Sequence, residues 1–333
     1  MIKVLYTKPF FPADITYIKE RIPADVQLIT PESYTSEAIA NVSGDVDMLF
    51  GGLITEEILK ASKALKCIQV PWTGVDKLNF PLLKEYNITV CNSHSNSSVV
   101  AEHAVAMLFD AAKKISYHDK NMRKGVWNRP SPTNTSPITP FSKKISNTNI
   151  GIVGFGSIGS DIHQMLGGFN CNFKVFSRSS KENLDANTIH YDSNEILNQL
   201  STLDFVFISV ALTENTREIV NHSFLDAMKN DAILINISRG EVIDQNALFN
   251  ALKSNSIAFA AIDTWYNYPN KENPIVFPSK ENDFHTLDNI VMSPHRAGMV
   301  EGGFPHLDDA IQNINKLYNN EPLINKVSLT DNY

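Results

Sequence analysis

Three segments of this chain combine residue types and spacings that can do chemistry, and each follows a short apolar run. Gly154-Phe-Gly156-Ser157-Ile158-Gly159 opens a helical pattern directly after one such run. Its first glycine permits a tight turn, its second lets a pyrophosphate approach the backbone, and its third lets helix and strand pack closely. The N-terminus of that helix offers free N–H groups and a partial positive charge to phosphates. Ile235-Asn-Ile-Ser-Arg239-Gly240-Glu-Val-Ile-Asp244 places a guanidinium where a strand ends, and Val291-Met-Ser-Pro-His295-Arg-Ala-Gly298 places an imidazole there. A guanidinium grips carboxylates and polarises carbonyls, and an imidazole gives or takes a proton near neutral pH. At the carboxyl ends of neighbouring strands, the two could meet over a nicotinamide ring.

Cofactor choice rests on the end of the strand after the glycine motif. An NAD site places a carboxylate there for the ribose hydroxyls. Here the residues are Ser177, Arg178 and Ser179, two hydroxyls and a guanidinium that suit a 2′-phosphate. The segment points to NADP(H), with NAD as the alternative should Arg178 instead stack on the adenine.

The elements that must position these groups are β-branched runs alternating with amphipathic stretches, the pattern of βα units around parallel sheets. In the first part the strands are expected at 2–6, 26–29, 46–50, 65–70 and 88–91, with helices over 14–21, 56–63 and 76–86. A long helix over 97–114 bridges two domains. Six further runs, at 150–153, 173–176, 203–210, 232–237, 259–262 and 290–292, match a doubly wound dinucleotide-binding sheet, and a last helix over 304–318 returns to the first domain. The Pro-, Ser-, Thr- and Asn-rich segment 128–149 reads as a surface excursion. The expected division is 1–97 plus 299–333 for a substrate domain and 98–298 for a dinucleotide-binding domain.

Composition bounds the function. The 333 residues carry 29 Lys and Arg against 36 Asp and Glu, a net charge of −7, which argues against nucleic acid or an anionic membrane as a partner. No apolar run is long enough to span a bilayer, and the N-terminus lacks a signal-peptide pattern. Cys67, Cys91 and Cys171 lie far apart without a Cys-x-x-Cys and read as buried thiols of a reducing compartment. The expectation is a soluble cytoplasmic protein. His94 and His103 have no partners at metal-ligand spacing, so no metal site is expected.

Together these segments resemble the D-isomer-specific 2-hydroxyacid dehydrogenases. The resemblance extends over nearly the whole chain through Val99-Val-Ala-Glu-His103, Leu212-Thr-x-x-Thr216, Met228-Lys229, 235–244, Asp263 and 293–298, with Ile68–Asp76 similar to the family's substrate-carboxylate loop. It implies two Rossmann-like or flavodoxin-like domains, α/β with doubly wound parallel sheets, an active site in the cleft between them, and a homodimer built on the cofactor domain. It implies that Arg239 holds a small 2-keto acid and polarises its carbonyl, while His295 donates the proton or, in oxidation, removes it. Backbone N–H groups near Gly52–Leu53 and Thr73–Gly74 would bind the substrate carboxylate. Asp263 would accept from the nicotinamide carboxamide, and Ala211, Thr216, Ile237 and Gly298 would line the cofactor cleft beside the glycine motif.

One departure bears on mechanism. Where the family carries a Glu before a proline, hydrogen-bonded to the catalytic histidine, this chain has Tyr268-Pro269. A phenol can orient the imidazole but brings no charge to stabilise imidazolium, so His295 is expected to titrate lower than is usual for the family; Glu272 is the alternative partner. A smaller departure is Ala211 in place of a proline. Trp72 stands beside one proposed site loop, and Trp265-Tyr-Asn-Tyr268 suggests an aromatic wall favouring a bulky substrate side chain. Two other readings stay open: a dinucleotide-sensing binding protein, and a formate- or phosphite-type dehydrogenase.

Overall fold

The computed structural model describes residues 1–129, 142–181 and 184–333. The chain divides into two compact units, Met1–Asn96 with Val300–Tyr333, and Ser97–Met299.

The first unit is a five-stranded parallel sheet built from β1 (Lys3–Tyr6), β2 (Gln27–Ile29), β3 (Met48–Phe50), β4 (Cys67–Gln69) and β5 (Thr89–Cys91) in the order β2-β1-β3-β4-β5. The strands are short, and β3 and β4 are buried throughout, as a sheet covered by helices on both faces requires. One face packs Leu5, Leu49, Ile68 and Val90 with Ile39 and Ile58. Ile39 lies on α2 (Ser36–Asn41) and Ile58 on α3 (Glu56–Ala61). The other packs Val4, Tyr6, Met48 and Phe50 with Ile18, Leu307, Ile311 and Ile314. Ile18 comes from α1 (Pro12–Lys19) and the last three from α11 (Pro305–Tyr318). The helix expected over 76–86 is confined to α4 (Phe80–Glu85), because the Asn79 side chain accepts the Leu82 N–H and Pro81 sits in the first turn, which together mark a helix start. α2 lies outside the expected helices; its start is signalled by Thr35, whose hydroxyl oxygen caps the Ala38 N–H.

The second unit begins with α5 (Ser97–Lys113) and α6 (Ile115–Met122). Its strands are β6 (Asn149–Val153), β7 (Asn172–Phe176), β8 (Thr188–Tyr191), β9 (Phe205–Ile208), β10 (Ile233–Asn236), β11 (Phe259–Ile262) and β12 (Ile290–Met292), with α7 (Ser157–Leu166), α8 (Ile196–Gln199), α9 (His222–Ala227) and α10 (Gln245–Ser254) between them. All are parallel, in the order β12-β11-β10-β9-β6-β7-β8. The sheet therefore has seven strands where six apolar runs mark it. The extra strand, β8, is an edge strand whose Ile189 is exposed while Tyr191 stacks on Phe176 with ring centroids 5.6 Å apart, so it never needed a continuous apolar run. α5 packs within the second unit, its Ala101, Ala104, Leu108 and Ala111 joining Ile150, Ile152, Phe207 and Ile235 in one core. Most of the 128–149 excursion lies outside the described residues.

Candidate active site

The groups singled out in the second unit lie past the carboxyl ends of its strands, where ligands of doubly wound folds bind. Gly154 follows β6, Ser177 follows β7, Ala211 to Thr216 follow β9, Arg239 follows β10, Asp263 to Tyr268 follow β11, and His295 follows β12.

The three glycines of the fingerprint meet different surroundings. Gly154 has φ +96°, and a Cβ there would stand 2.7 Å from the Ser209 backbone. A Cβ on Gly159 would stand 2.3 Å from the Gly154 carbonyl oxygen. On Gly156 a Cβ would meet no protein atom within 4 Å. The protein's own packing demands two of the glycines, and the middle one leaves an open approach to the backbone. Gly156 is also the N-cap of α7 and makes no side-chain cap, and the Ser160 N–H bonds its carbonyl at 2.9 Å. The N–H groups of Ser157, Ile158 and Gly159 are thus those at the open end of the helix. This cradle fits a dinucleotide pyrophosphate.

At the end of β7, the Ser177 hydroxyl lies 2.9 Å from His190 Nε2 and 2.9 Å from the Ser179 carbonyl oxygen. Arg178 and Ser179 are exposed beside it. His190 was not foreseen, because it rides on the edge strand β8. After β9, the Thr216 hydroxyl donates to the Ala211 carbonyl at 2.6 Å and accepts the Thr213 N–H at 2.8 Å, which closes the 211–216 loop on itself. Ile237 is buried in the core, with its N–H toward the Ile208 carbonyl, so only its backbone is placed to line anything.

The loop carrying His295 is held almost entirely by Asp263. Asp263 is fully buried; Oδ1 accepts the Ser293 hydroxyl at 2.5 Å and the Arg296 N–H at 3.0 Å, and Oδ2 accepts the Ala297 N–H at 3.2 Å. Its carbonyl accepts the His295 N–H at 2.8 Å. These bonds hold His295 at φ +52°, a conformation that non-glycine residues rarely adopt and that clusters at functional sites. His103 on α5 completes the network, with Nε2 2.9 Å from the Ser293 hydroxyl. Among the described residues no cluster of three or more His, Cys, Asp or Glu could hold a metal.

Tyr268 rather than Glu272 stands beside the imidazole. Its hydroxyl oxygen is 3.0 Å from His295 Nδ1 and accepts the Trp265 N–H at 3.0 Å. Burial pushes the phenol above its usual range, against the opposing pull of the Trp265 N–H and the positive charge of Arg239. Arg239 follows β10, the strand next to the one that leads to Tyr268. Its own turn is fixed by the buried Asn236, whose amide donates to the Arg239 carbonyl at 3.0 Å and whose Oδ1 accepts the Ser238 N–H at 3.0 Å. Gly240 is required there, since a Cβ would stand 2.4 Å from the Trp265 carbonyl oxygen.

The expected aromatic wall is largely absent. Trp265 is buried in the core, edge-on to Phe284, and its Nε1–H donates to the Ser293 carbonyl at 2.8 Å; Tyr266 stacks on the same Phe284. Only Tyr268, 45% exposed, faces outward by His295. The two consecutive aromatics thus pack on one core around Phe284, and Tyr268 turns away from it.

In the first unit, the loops after β3 and β4 adjoin: a Cβ on Gly52 would stand 2.8 Å from the Trp72 ring. The Thr73 hydroxyl donates to the Ser93 carbonyl at 2.9 Å and the Asn92 amide to the Thr73 carbonyl at 2.7 Å. The N–H groups of Gly52, Leu53, Thr73 and Gly74 donate to no carbonyl of this unit.

Residues 105–297 match the family described as D-isomer specific 2-hydroxyacid dehydrogenase, NAD binding domain. The chain is 26% identical over 327 residues to a glyoxylate/hydroxypyruvate reductase of Arabidopsis thaliana, covering 96% of this chain and 95% of that one. It is 28% identical over 300 residues to a 2-ketogluconate reductase of Gluconobacter oxydans, covering 88% of each. Among solved structures it resembles an acyclic imino acid reductase in complex with NADPH and D-Arg, with a TM-score of 0.77 and 25% identity over 98% of this chain and all of that one. The chain belongs to the D-isomer-specific 2-hydroxyacid dehydrogenase family. It is an NAD(P)-dependent oxidoreductase acting on 2-hydroxy or 2-keto acids. Among the described residues no helix is long and apolar enough to cross a membrane.

Proposed function

We propose that the protein is an NADP(H)-preferring reductase of small 2-keto acids, with Arg239 binding the substrate and His295 as general acid and base. The observation that carries this reading is the placement of three groups past adjacent strands, Arg239 after β10, Tyr268 after β11 and His295 after β12, with the Tyr268 hydroxyl 3.0 Å from His295 Nδ1. The nicotinamide, when bound, supplies or takes the hydride at the keto carbon. Arg239 would hold the substrate carboxylate and carbonyl oxygen and stabilise the negative charge that grows there. His295 would give its proton to that oxygen. Backbone N–H groups at Gly52, Leu53, Thr73 and Gly74 would take the substrate carboxylate, as anion nests do, and the nicotinamide carboxamide would meet the chain near Asp263, with Ala211, Thr216, Ile237 and Gly298 lining the cofactor site.

Tyr268 gives the proton cycle a particular character. With the Trp265 N–H already donating to it, the hydroxyl oxygen accepts from Nδ1–H with its second lone pair, both in the imidazolium and in the neutral ring left once Nε2 has given up its proton. It orients the ring in both states while favouring neither by charge. A carboxylate in its place would favour the imidazolium.

NADP(H) preference is supported by Ser177, Arg178 and Ser179 at the end of β7, where no carboxylate stands to repel a 2′-phosphate. A homodimer on the cofactor domain is supported by the exposed apolar side chains of Ile115, Met122, Val126 and Trp127 at and beyond α6; the expected compartment is the cytoplasm.

The test is a panel of 2-keto acids assayed with NADH and NADPH side by side, on the wild type, Arg239→Ala and His295→Ala. The reading requires substrate-dependent NADPH oxidation that both substitutions abolish. Equal or better use of NADH would remove the NADP(H) preference alone, and sedimentation showing a monomer would remove the dimer alone.

A further inference from the structure

The sheet order of the first unit reverses direction between β1 and β3, which makes the loops after those two strands the place where such a sheet binds ligands. The residues after β1 are Thr7 and Lys8, and those after β3 are Gly51 and Gly52. Gly51 has φ +142°; a Cβ there would stand 2.5 Å from Thr7 Oγ1 and 3.2 Å from Lys8 Cγ. The two loops are therefore packed backbone to side chain, and only glycine allows it.

Two polar groups at this point are left incomplete. The Thr7 side chain is 1% exposed, and its hydroxyl has no hydrogen-bond partner, although buried polar groups are normally paired. Lys8 is half-buried, and the groups that hold it are rings: its Nζ lies 5.1 Å from the Phe10 centroid and 4.7 Å from that of Trp72. Burial lowers the readiness of this amine to stay charged, against the opposing pull of Asp14. Asp14 is itself engaged by the Phe11 N–H at 3.0 Å, and His306 is the other titratable group that senses Lys8. A cation withdrawn from water and held by rings, next to an orphaned hydroxyl at a topological switch point, is a half-built anion site.

We propose that Lys8 and Thr7 bind a second anionic group, a carboxylate or a phosphate, at the far end of a 2-keto acid substrate. The inference rests on the proposed function above and deepens it. Within this unit, the substrate's own carboxylate is served by the backbone N–H groups of the Gly52 and Thr73 loops, so a monoacid such as glyoxylate has no use for a further positive charge. Lys8 becomes useful when the side chain carries its own. A single ammonium and a single hydroxyl match one anionic terminus: Lys8 supplies the charge and Thr7 the directional O–H. The ring of Trp72 fixes the height of the ammonium above the Gly52 loop.

The experiment compares the wild type with Lys8→Met, Lys8→Arg and Thr7→Val. The substrates are glyoxylate, 2-oxoglutarate and phosphohydroxypyruvate, with NADPH. For whichever anion-ended substrate is preferred, Lys8→Met is expected to lower the ratio of its kcat/KM to that of glyoxylate by about ten- to a hundredfold, the size of a lost charge-assisted hydrogen bond. Lys8→Arg should retain most of that ratio and Thr7→Val should lose part of it. Preference for 2-oxoglutarate identifies a carboxylate terminus, and preference for phosphohydroxypyruvate a phosphate. A ratio unmoved by Lys8→Met overturns the proposal, as does a wild type that favours glyoxylate over both. A second arm needs no turnover: succinate is titrated against tryptophan fluorescence, which Trp72 reports from beside Lys8. Binding by the wild type that weakens about tenfold or more in Lys8→Met supports the site even if no keto acid is reduced, in which case the reductase reading alone fails. Succinate binding that ignores the substitution overturns the site.

Discussion

The two sheets of this protein solve the same local problem and finish it differently. Each reverses its strand order once, and at each reversal a glycine of positive φ presses against the residue ending the neighbouring strand. In the second unit Gly154 presses on Ser209, whose hydroxyl donates to the Gly154 carbonyl at 2.7 Å. In the first unit Gly51 presses on Thr7, whose hydroxyl is buried without a partner. The satisfied serine is part of the scaffold that holds a phosphate-binding turn in shape. The unsatisfied threonine, beside Lys8, keeps its bonding capacity in reserve. The serine completes its own bonds and positions a turn; the threonine leaves its bond open, as the proposed anion site requires.

The largest expected effect separates chemistry from binding. His295 sits at the end of the second sheet in a loop whose backbone bonds Asp263 at three successive residues, His295, Arg296 and Ala297. His295→Asn keeps a residue that tolerates positive φ, so the fold should be unmoved, while kcat for keto-acid reduction falls by about 10²- to 10⁴-fold, the usual worth of a general acid. Steady-state kinetics with a thermal midpoint on the same sample checks both halves. A variant that melts normally and turns over normally would place the proton donor elsewhere and would dissolve the contrast between the two sheet edges.

The second effect splits the glycine motif from within. Gly154→Ala puts a Cβ 2.7 Å from the Ser209 backbone at φ +96°, and should cost about 2 kcal/mol or more of stability. Gly156→Ala meets no protein atom within 4 Å and should cost less than about 1 kcal/mol, yet weaken NADPH binding at least as much. Melting curves with and without NADPH read the two apart. Equal stability losses would mean that the middle glycine serves packing rather than phosphate.

How far these features can be read without coordinates depends on whether the responsible interactions are local. The glycine turn, Arg239 and His295 each follow an apolar run within a few residues, and the apolar strand then the polar turn is visible as text. The hydrogen bonds from Ser293, Arg296 and Ala297 to Asp263 join segments 30 to 34 residues apart in sequence, so the part this side chain plays in shaping the loop has no sign in its own surroundings. Trp265 and Tyr266 both pack on one core because the chain turns after β11, which no periodicity over four residues reveals. The edge strand β8, and with it His190, was hidden because one of its faces is solvated. Lys8 is plain in sequence, directly after a strand, but its meaning comes from Gly51 and Trp72, supplied by two other strands.

A third prediction sharpens the role of the residue that departs from the family pattern. Burial keeps the Tyr268 phenol above its ordinary range, so it stays neutral throughout the working pH of the enzyme. On the proposed mechanism reduction draws on the imidazolium, whose charge the neutral phenol does nothing to hold, so the rate of reduction should fall along an alkaline limb. Tyr268→Glu places an anion beside Nδ1, which favours the protonated ring, so the alkaline limb should move upward by about one pH unit. Tyr268→Phe removes the orienting bond without adding charge and should lower kcat while leaving the limb nearly in place. A limb that fails to move in Tyr268→Glu would show that His295 does not set it.

The smallest expected effect tests the opening contrast directly. Thr7→Val replaces an orphaned hydroxyl by a methyl of the same shape; with no bond to lose and a desolvation cost removed, the first unit should gain about 1 kcal/mol. Ser209→Ala deletes a hydroxyl that donates to the Val153 and Gly154 carbonyls, and the second unit should lose about as much. Two units of one chain need not unfold together, so the effect is best read locally, from amide exchange in β1 and in β9. Opposite signs would establish that the first sheet gives up stability to keep a hydroxyl available, a bargain that makes sense only if something binds there. If Thr7→Val loosens β1 instead, the hydroxyl is already at work inside the fold, and the case for an open site beside Lys8 is reduced to the ammonium alone.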